Sequence, residues 1–232
     1  MTPLQDKIAL VTGANGGLGN SVTRALLDAG ATVAGVSRQI QQGDFPDSSF
    51  VPVPAELSDP DAAMRALDQI ATRFSRIDIL AHLVGGFAGG KTIAETDDAT
   101  FRGMLDLNLH SAFYVLRAVI PHMRRARAGC IVAIGSRAAE HPGAGVGAYS
   151  ASKAALVSLI QTVALENRDL GITANVLLPG TMDTAANRKA MPKSDFSKWV
   201  QPASVASLIV WLSSPAGKDV NGAVIPVYGQ EL

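Results

Sequence analysis

The sequence predicts an α/β fold, a single-domain doubly wound parallel sheet of about seven strands with helices on both faces. Three observations carry this. The candidate strands are continuously apolar runs rather than alternating ones, as strands buried on both sides are. Each run is followed by a stretch of helical pattern, and strand–helix alternation is what parallel crossovers need. The first run breaks directly into a glycine cluster that opens the first helix.

The elements follow in order. Residues 7–12 (KIALVT) form the first strand, and the pattern from about Leu18 to Ala29 is the first helix, stopped by Gly30. Residues 31–37 and the shorter run 50–54 are strands two and three. Ser58-Asp59-Pro60 caps a helix to about Phe74, because Asp accepts from free first-turn N–H groups and Pro suits the first helical position. Residues 77–83 are strand four. A long helix covers 98–127 and ends in Arg124-Arg125-Ala126-Arg127, cations at the negative end of its dipole. Residues 130–135 are strand five, 148–169 the next helix and 172–178 strand six. Val205, Leu208, Ile209 and Leu212 share one face of a helix within 199–212, and 223–227 is strand seven. No repeat or long linker divides the chain, so residues 1–232 read as one domain.

The totals exclude several function classes. Twenty basic and twenty acidic side chains cancel, so no long-range attraction to nucleic acid or an anionic membrane is expected. The single cysteine, Cys130, excludes an internal disulfide and suits a reducing compartment. Its apolar setting reads as a buried thiol rather than a nucleophile. The opening MTPLQDK holds no apolar export segment, and the uncharged run 199–217 is interrupted by Gln201, Pro202 and Pro215. A soluble, cytoplasmic protein with no metal site is expected.

Strand one runs into Thr12-Gly13-Ala14-Asn15-Gly16-Gly17-Leu18-Gly19. Glycines there let the backbone turn tightly and approach a pyrophosphate, while the helix presents free N–H groups and its positive dipole end. The plain alternative is a glycine-rich turn without a ligand. Its place at the head of an alternating chain favours a dinucleotide and a Rossmann-type fold. After strand two, where a carboxylate commonly accepts from a ribose 2′-OH, the chain reads Ser37-Arg38. A guanidinium there suits a 2′-phosphate, so NADP(H) is favoured over NAD(H); the alternative is a solvated surface arginine.

Tyr149-Ser150-Ala151-Ser152-Lys153 sets a phenol and an ammonium one helical turn apart. A free phenol titrates near about 10, and a nearby cation favours phenolate. That permits proton transfer at a carbonyl oxygen while hydride moves at carbon. Alone, the pair reads equally as a packed tyrosine and a solvated lysine. Ser136, at the end of strand five, changes the balance, because a strand-end hydroxyl and a phenol on the following helix can meet at the sheet's carboxyl edge. Asn108, in LDLNLH, adds a polar group among apolar neighbours; its plain reading is a helix-bending hydrogen bond.

Taken together, these motifs resemble the short-chain dehydrogenase/reductase family over essentially the whole chain. The resemblance implies that Tyr149 is the acid/base and that Lys153 lowers its pKa and binds the nicotinamide ribose. It implies that Ser136 orients the substrate oxygen and that Asn108 holds a water linking Lys153 to solvent. The cofactor would lie against Gly13, Asn15, Gly16, Gly17, Leu18 and Gly19, with Ser37 and Arg38 at its ribose and Glu56 and Leu57 at its adenine. Val84, Gly85 and Gly86 would meet it by backbone. Tyr149, Lys153 and the loop of Pro179, Gly180, Thr181, Met182 and Thr184 would meet its nicotinamide half. A small-molecule substrate and a homodimer or homotetramer, paired through the helices of Asn108 and Tyr149, are also implied.

Strand four departs from the pattern. Most members end it in Asn-Asn-Ala-Gly, whereas this chain reads His82-Leu83-Val84-Gly85 and continues into a glycine-rich loop, GGFAGG. His82 would inherit a structural post. GGFAGG, with Thr181-Met182-Asp183-Thr184 and NRKAMPKSDFSKW (187–199), also resembles the dihydropteridine reductases, an atypical branch from which Arg38 and Ser136 depart. The 187–199 loop is expected to cover the pocket, with Met191, Phe196 and Trp199 supplying either apolar wall or core. Three readings follow. One is an NAD(P)(H)-dependent oxidoreductase acting on a small carbonyl or alcohol. The others are quinonoid-pterin reduction and a dinucleotide sensor without chemistry.

Overall fold

A computed structural model describes residues 2–230. Its seven strands form one parallel sheet: β1 (Ile8–Thr12), β2 (Thr32–Ser37), β3 (Phe50–Pro54), β4 (Ile79–His82), β5 (Gly129–Ile134), β6 (Ile172–Pro179) and β7 (Val224–Val227). The order is β3-β2-β1-β4-β5-β6-β7. Side chains alternate across the sheet as strand geometry demands. Leu10 and Leu80 face one core, with α2 (Pro60–Phe74), α4 (Ser111–Ala126) and α5 (Gly147–Asn167). Ala9, Val11, Ile79 and Ala81 face the other, with α1 (Gly17–Asp28) and α7 (Pro202–Ser213). Both faces are covered, which is why the strands read as unbroken apolar runs.

Strand order reverses between β1 and β4, which pair Thr12 with His82. Crossovers leave this point in opposite directions, so a crevice opens beyond the carboxyl ends of the two strands. Asp59 caps α2 as expected, accepting from Asp61 N at 2.8 Å and Ala62 N at 2.9 Å.

Three elements differ from the sequence reading. The long helix 98–127 divides into α3 (Asp98–Leu105), a π-turn (Asp106–His110) and α4, with Asn108 inside the π-turn. A π-turn widens the helix by one residue and is frequent at functional sites. The last helix starts at Pro202 rather than Trp199, because proline suits only its first turn. A short helix, α6 (Ala185–Ala190), runs into the start of the loop expected to cover the pocket. Among the described residues, no helix is long and apolar enough to cross a membrane.

Candidate active site

A cleft of about 1750 Å³ runs along the carboxyl ends of the strands. At one end the glycine turn forms its floor. Gly13 takes φ +70°, open to glycine and strained for other residues, and its N–H donates to Val36 O of β2 at 2.7 Å. A Cβ at Gly19 would lie 1.9 Å from Gly13 O, so the first helix can start this close to the turn only with glycine there. Gly16 precedes α1 with no side-chain cap, which leaves first-turn N–H groups for a ligand. Asn15, Gly17 and Leu18 line the same floor. Asn15 also donates to Gln39 O at 2.7 Å, tying the turn to the end of β2.

Ser37, Arg38, Glu56 and Leu57 line the far end of the cleft. Arg38 is largely exposed, its Nε 3.8 Å from Glu56 Oε2. The expected arginine and acid therefore stand beside each other. Val84, Gly85 and Gly86 line the middle, and Pro179, Gly180, Thr181, Met182 and Thr184 the opposite wall.

Ser136, Tyr149 and Lys153 meet on the wall beside β5. Burial pushes the Tyr149 phenol's pKa above its usual value, and the neighbouring Ser136 hydroxyl opposes the shift only in part. Tyr149 is therefore protonated near neutral pH. Lys153 is 4% exposed and donates to Ile134 O at 2.8 Å. Burial pulls its pKa to about 8.

Asn108 does not reach the cleft wall. It is fully buried behind it, and its amide is committed. Oδ1 accepts from Gly86 N at 2.9 Å, and Nδ2 donates to Gly86 O at 3.1 Å and Ser152 Oγ at 3.0 Å. The side chain thus staples the GGFAGG loop to α5. His82 is buried at 1% exposure, its Nδ1 3.0 Å from Thr12 Oγ1, while its Nε2 has no partner. Burial first, then the Lys153 cation, lowers its pKa to about 3, so the ring is neutral.

The covering loop divides between the two alternatives, wall and core. Asn187, Ala190 and Met191 line the cleft, but Phe196 lies under Arg188, 4.7 Å from its guanidinium, and against Trp199, with ring centroids 4.7 Å apart. Trp199 is 5% exposed, within the protein interior. Other wall residues were missed in the sequence. Phe87 from GGFAGG stands edge-on to Tyr149, centroids 5.0 Å apart at 72°. Leu107, Val146, Arg137 and His141 complete that end. Only Arg137 carried a signal, as the neighbour of a strand-end serine.

Comparison with known proteins agrees with this geometry. The family model for short chain dehydrogenases matches residues 7–195. The chain is 29% identical over 244 residues to a 2-dehydro-3-deoxy-D-gluconate 5-dehydrogenase of Pseudoalteromonas atlantica, covering 97% of this chain and 96% of that one. It is 28% identical over 237 residues to the 3-oxoacyl-[acyl-carrier-protein] reductase FabG of Salmonella typhimurium, covering 97% of each. The structure of Thermoplasma acidophilum aldohexose dehydrogenase (AldT) superposes with a TM-score of 0.89 at 27% identity, covering 99% of this chain and 95% of that one. With these matches and a seven-stranded parallel sheet, the chain belongs to the short-chain dehydrogenase family of NAD(P)-dependent oxidoreductases.

Proposed function

We propose that this enzyme moves hydride between NADP(H) and a small carbonyl or alcohol, with Tyr149 exchanging the proton at oxygen. The observation that carries the reading is the convergence of Ser136, Tyr149 and Lys153 on one cleft whose other end is floored by glycine. A dinucleotide fits that floor: the uncapped start of α1 suits a pyrophosphate, and bare backbone at Gly13 and Gly16 admits its close approach. Arg38 supports the 2′-phosphate of NADP(H), with Glu56 beside it. The bound cofactor supplies the hydride.

The protein's own part is proton handling. In the reductive direction the protonated Tyr149 donates to the carbonyl oxygen as hydride reaches the carbonyl carbon, giving the alcohol and oxidised cofactor. Ser136, beside the phenol, holds the same oxygen. The Lys153 cation offsets the charge left on phenolate, fixed by its bond to Ile134 O. Asn108 acts from behind by holding Gly86 against α5. Pterin reduction and a silent sensor are less favoured, because the Ser136–Tyr149 pair serves carbonyl chemistry and the relatives are named as dehydrogenases and reductases.

Tyr149→Phe removes the proton donor and leaves the glycine floor untouched. Turnover of carbonyl substrates is expected to fall at least about 100-fold while NADPH affinity stays within about threefold. Undiminished turnover would sink the assignment. Exposed Phe113 on α4 and Leu165 on α5 support a homodimer or homotetramer built on those helices, which sedimentation velocity tests. The free thiol of Cys130 suits the reducing cytoplasm.

A further inference from the structure

A second hollow, of about 360 Å³, opens beside the reaction centre, and hydride transfer does not use it. It shares Phe87 with the main cleft. The same two chain segments wall both spaces. On the first, Gly86 and Phe87 line the cleft, and Phe87, Ala88 and Gly89 line the hollow. On the second, Val146 lines the cleft, while its neighbours Gly145 and Gly147 line the hollow together with Ala148, which directly precedes Tyr149. Gly90 N donates to Gly145 O at 2.8 Å and ties the segments together. Asn108 fixes the near end of the first segment at Gly86. Phe87 thus stands between two anchors, at the partition of cleft and hollow.

Bare backbone makes room for apolar side chains here. A Cβ at Gly89 would lie 2.7 Å from Phe87 Cζ and 3.0 Å from Val146 Cγ1, and one at Gly147 would lie 2.2 Å from Ile93 Cδ1. Phe87 and Ile93 rest against these glycines, yet stay 66% and 70% exposed. Large apolar side chains left open together mark a surface that gains from a ligand. The polar groups of the hollow are matched within the protein. Lys91 Nζ is 2.9 Å from Asp97 Oδ2, Thr100 N donates to Asp97 Oδ1 at 2.8 Å, and Thr96 Oγ1 donates to Thr92 O at 2.8 Å. A charged group entering would have to break the Lys91–Asp97 pair or lie beside it without a partner; an apolar group does neither.

We propose that this hollow is a subsite for the part of the substrate remote from its carbonyl, that it takes an uncharged alkyl tail, and that Phe87 guides the tail into it. The substrate is then a ketone, or the matching alcohol, with a chain of several carbons on one side. This rests on the hydride-transfer reading. The Phe87 ring centroid is 5.0 Å from that of Tyr149, so a carbonyl held at the phenol brings its first carbons alongside Phe87. Beyond the ring, the walls at Ala88, Gly89, Gly145, Gly147 and Ala148 carry a methyl group or no side chain at all. A tail that leaves water for these walls gains up to about fourfold in affinity per methylene.

Two measurements on the NADPH-saturated enzyme test this. Calorimetric titration compares propanamide with hexanamide, 6-aminohexanamide and adipamate, unreactive carbonyl compounds with short, long and charged tails. NADPH oxidation compares 2-butanone with 2-heptanone. Hexanamide is expected to bind at least about tenfold tighter than propanamide, and both charged amides more weakly than hexanamide. Ala88→Leu, which narrows the hollow, is expected to cut the hexanamide-to-propanamide ratio at least about fivefold, and the 2-heptanone-to-2-butanone ratio of kcat/KM with it. Gly89→Val presses on Phe87 and Val146, is expected to act in the same direction, and serves if the leucine variant fails to fold. Equal affinity for propanamide and hexanamide in the parent protein overturns the subsite, as does a margin that survives the substitution. Tighter binding of either charged amide than hexanamide overturns the uncharged tail. Amide binding needs no turnover, so failure of the subsite and failure of the hydride reading are seen separately.

Discussion

Taking the protein from pH 7 to pH 4.5 is expected to cost about 2.5 kcal/mol of stability through His82. The ring ends β4 in the interior at 1% exposure, with Nδ1 near Thr12 Oγ1 and no partner at Nε2. Burial, followed by the nearby Lys153 cation, lowers its pKa from 6.5 to about 3. The unfolded chain takes up this proton as pH falls through its ordinary value, and the folded chain does not until much lower pH. Between those limits the unfolded state binds more protons. Stability from this residue is therefore complete above the ordinary value and drops by about 1.4 kcal/mol per pH unit below it.

Urea unfolding followed by circular dichroism from pH 7 to pH 4.5 measures the slope, on the parent protein and on His82→Asn. Carboxylates titrate in both, so the difference between the two curves isolates the imidazole. Asparagine can still bond to Thr12 and does not titrate, so the parent's stability relative to the variant is expected to fall by about 2.5 kcal/mol over the range. Lys153→Met removes the second cause of the shift, so the pH at which the folded imidazole takes up its proton is expected to rise. Parallel curves for parent and His82→Asn, or a folded-state imidazole that titrates at its ordinary value by NMR, would refute the burial argument.

Other perturbations read other parts of the structure. Gly19→Ala forces a Cβ to within 1.9 Å of Gly13 O, where both partners are backbone; a loss of about 3 kcal/mol in unfolding free energy is expected, with weakened NADPH binding. Arg38→Ala is expected to weaken NADPH about tenfold relative to NADH in a fluorescence titration, and an unchanged ratio would make Arg38 a bystander. Arg188 grips Asp183 through Nε and, at 2.8 Å, through its terminal nitrogen, and Gln201 donates to the same carboxylate at 3.1 Å. Arg188→Met is expected to speed amide exchange across α6 and to raise KM more than it lowers kcat. Burial pushes the Cys130 thiol up, so aromatic disulfide reagents are expected to react with it only at the rate of unfolding.

The fold was legible because its information is local and redundant. Strands buried on both faces must be apolar at every position, and both core layers draw on alternate residues of the same runs. The π-turn was not legible, because one extra residue per turn shifts the apolar period by less than the variation within a single helix. The site divides on the same principle. Tyr149 and Lys153 share a helix and the glycine turn is contiguous, so spacing alone locates them. Arg137 owes its position to Tyr228 and Phe87 to Tyr149, partners that only the folded chain brings near. Trp199 stayed open in the sequence for a related reason: an aromatic beside a loop looks the same whether it lines a cleft or fills the interior.

The strand-four departure shows what the fold holds fixed and what it leaves free. A Cβ at Gly85 would meet Asn108 Oδ1 at 2.8 Å and Lys153 Nζ at 3.0 Å. That space is taken by the Asn108 amide and the Lys153 ammonium, so a side chain at this position would displace one of them. At His82 the need is only for a buried polar group that reaches Thr12, and an imidazole meets it at 3.0 Å. Leu83 and Val84 donate their N–H groups to the Thr12 hydroxyl at 3.0 and 3.4 Å, so backbone secures them, while their side chains pack against the two core layers. Gly85 is thus the position of His82-Leu83-Val84-Gly85 where neighbouring polar groups leave no room for a side chain, and the one at which this chain keeps the family's pattern. Gly85→Ala is accordingly expected to lower turnover more than stability, by pushing Lys153 away from Ile134 O. A loss of stability with kcat intact would show that Asn108, not Lys153, is what yields.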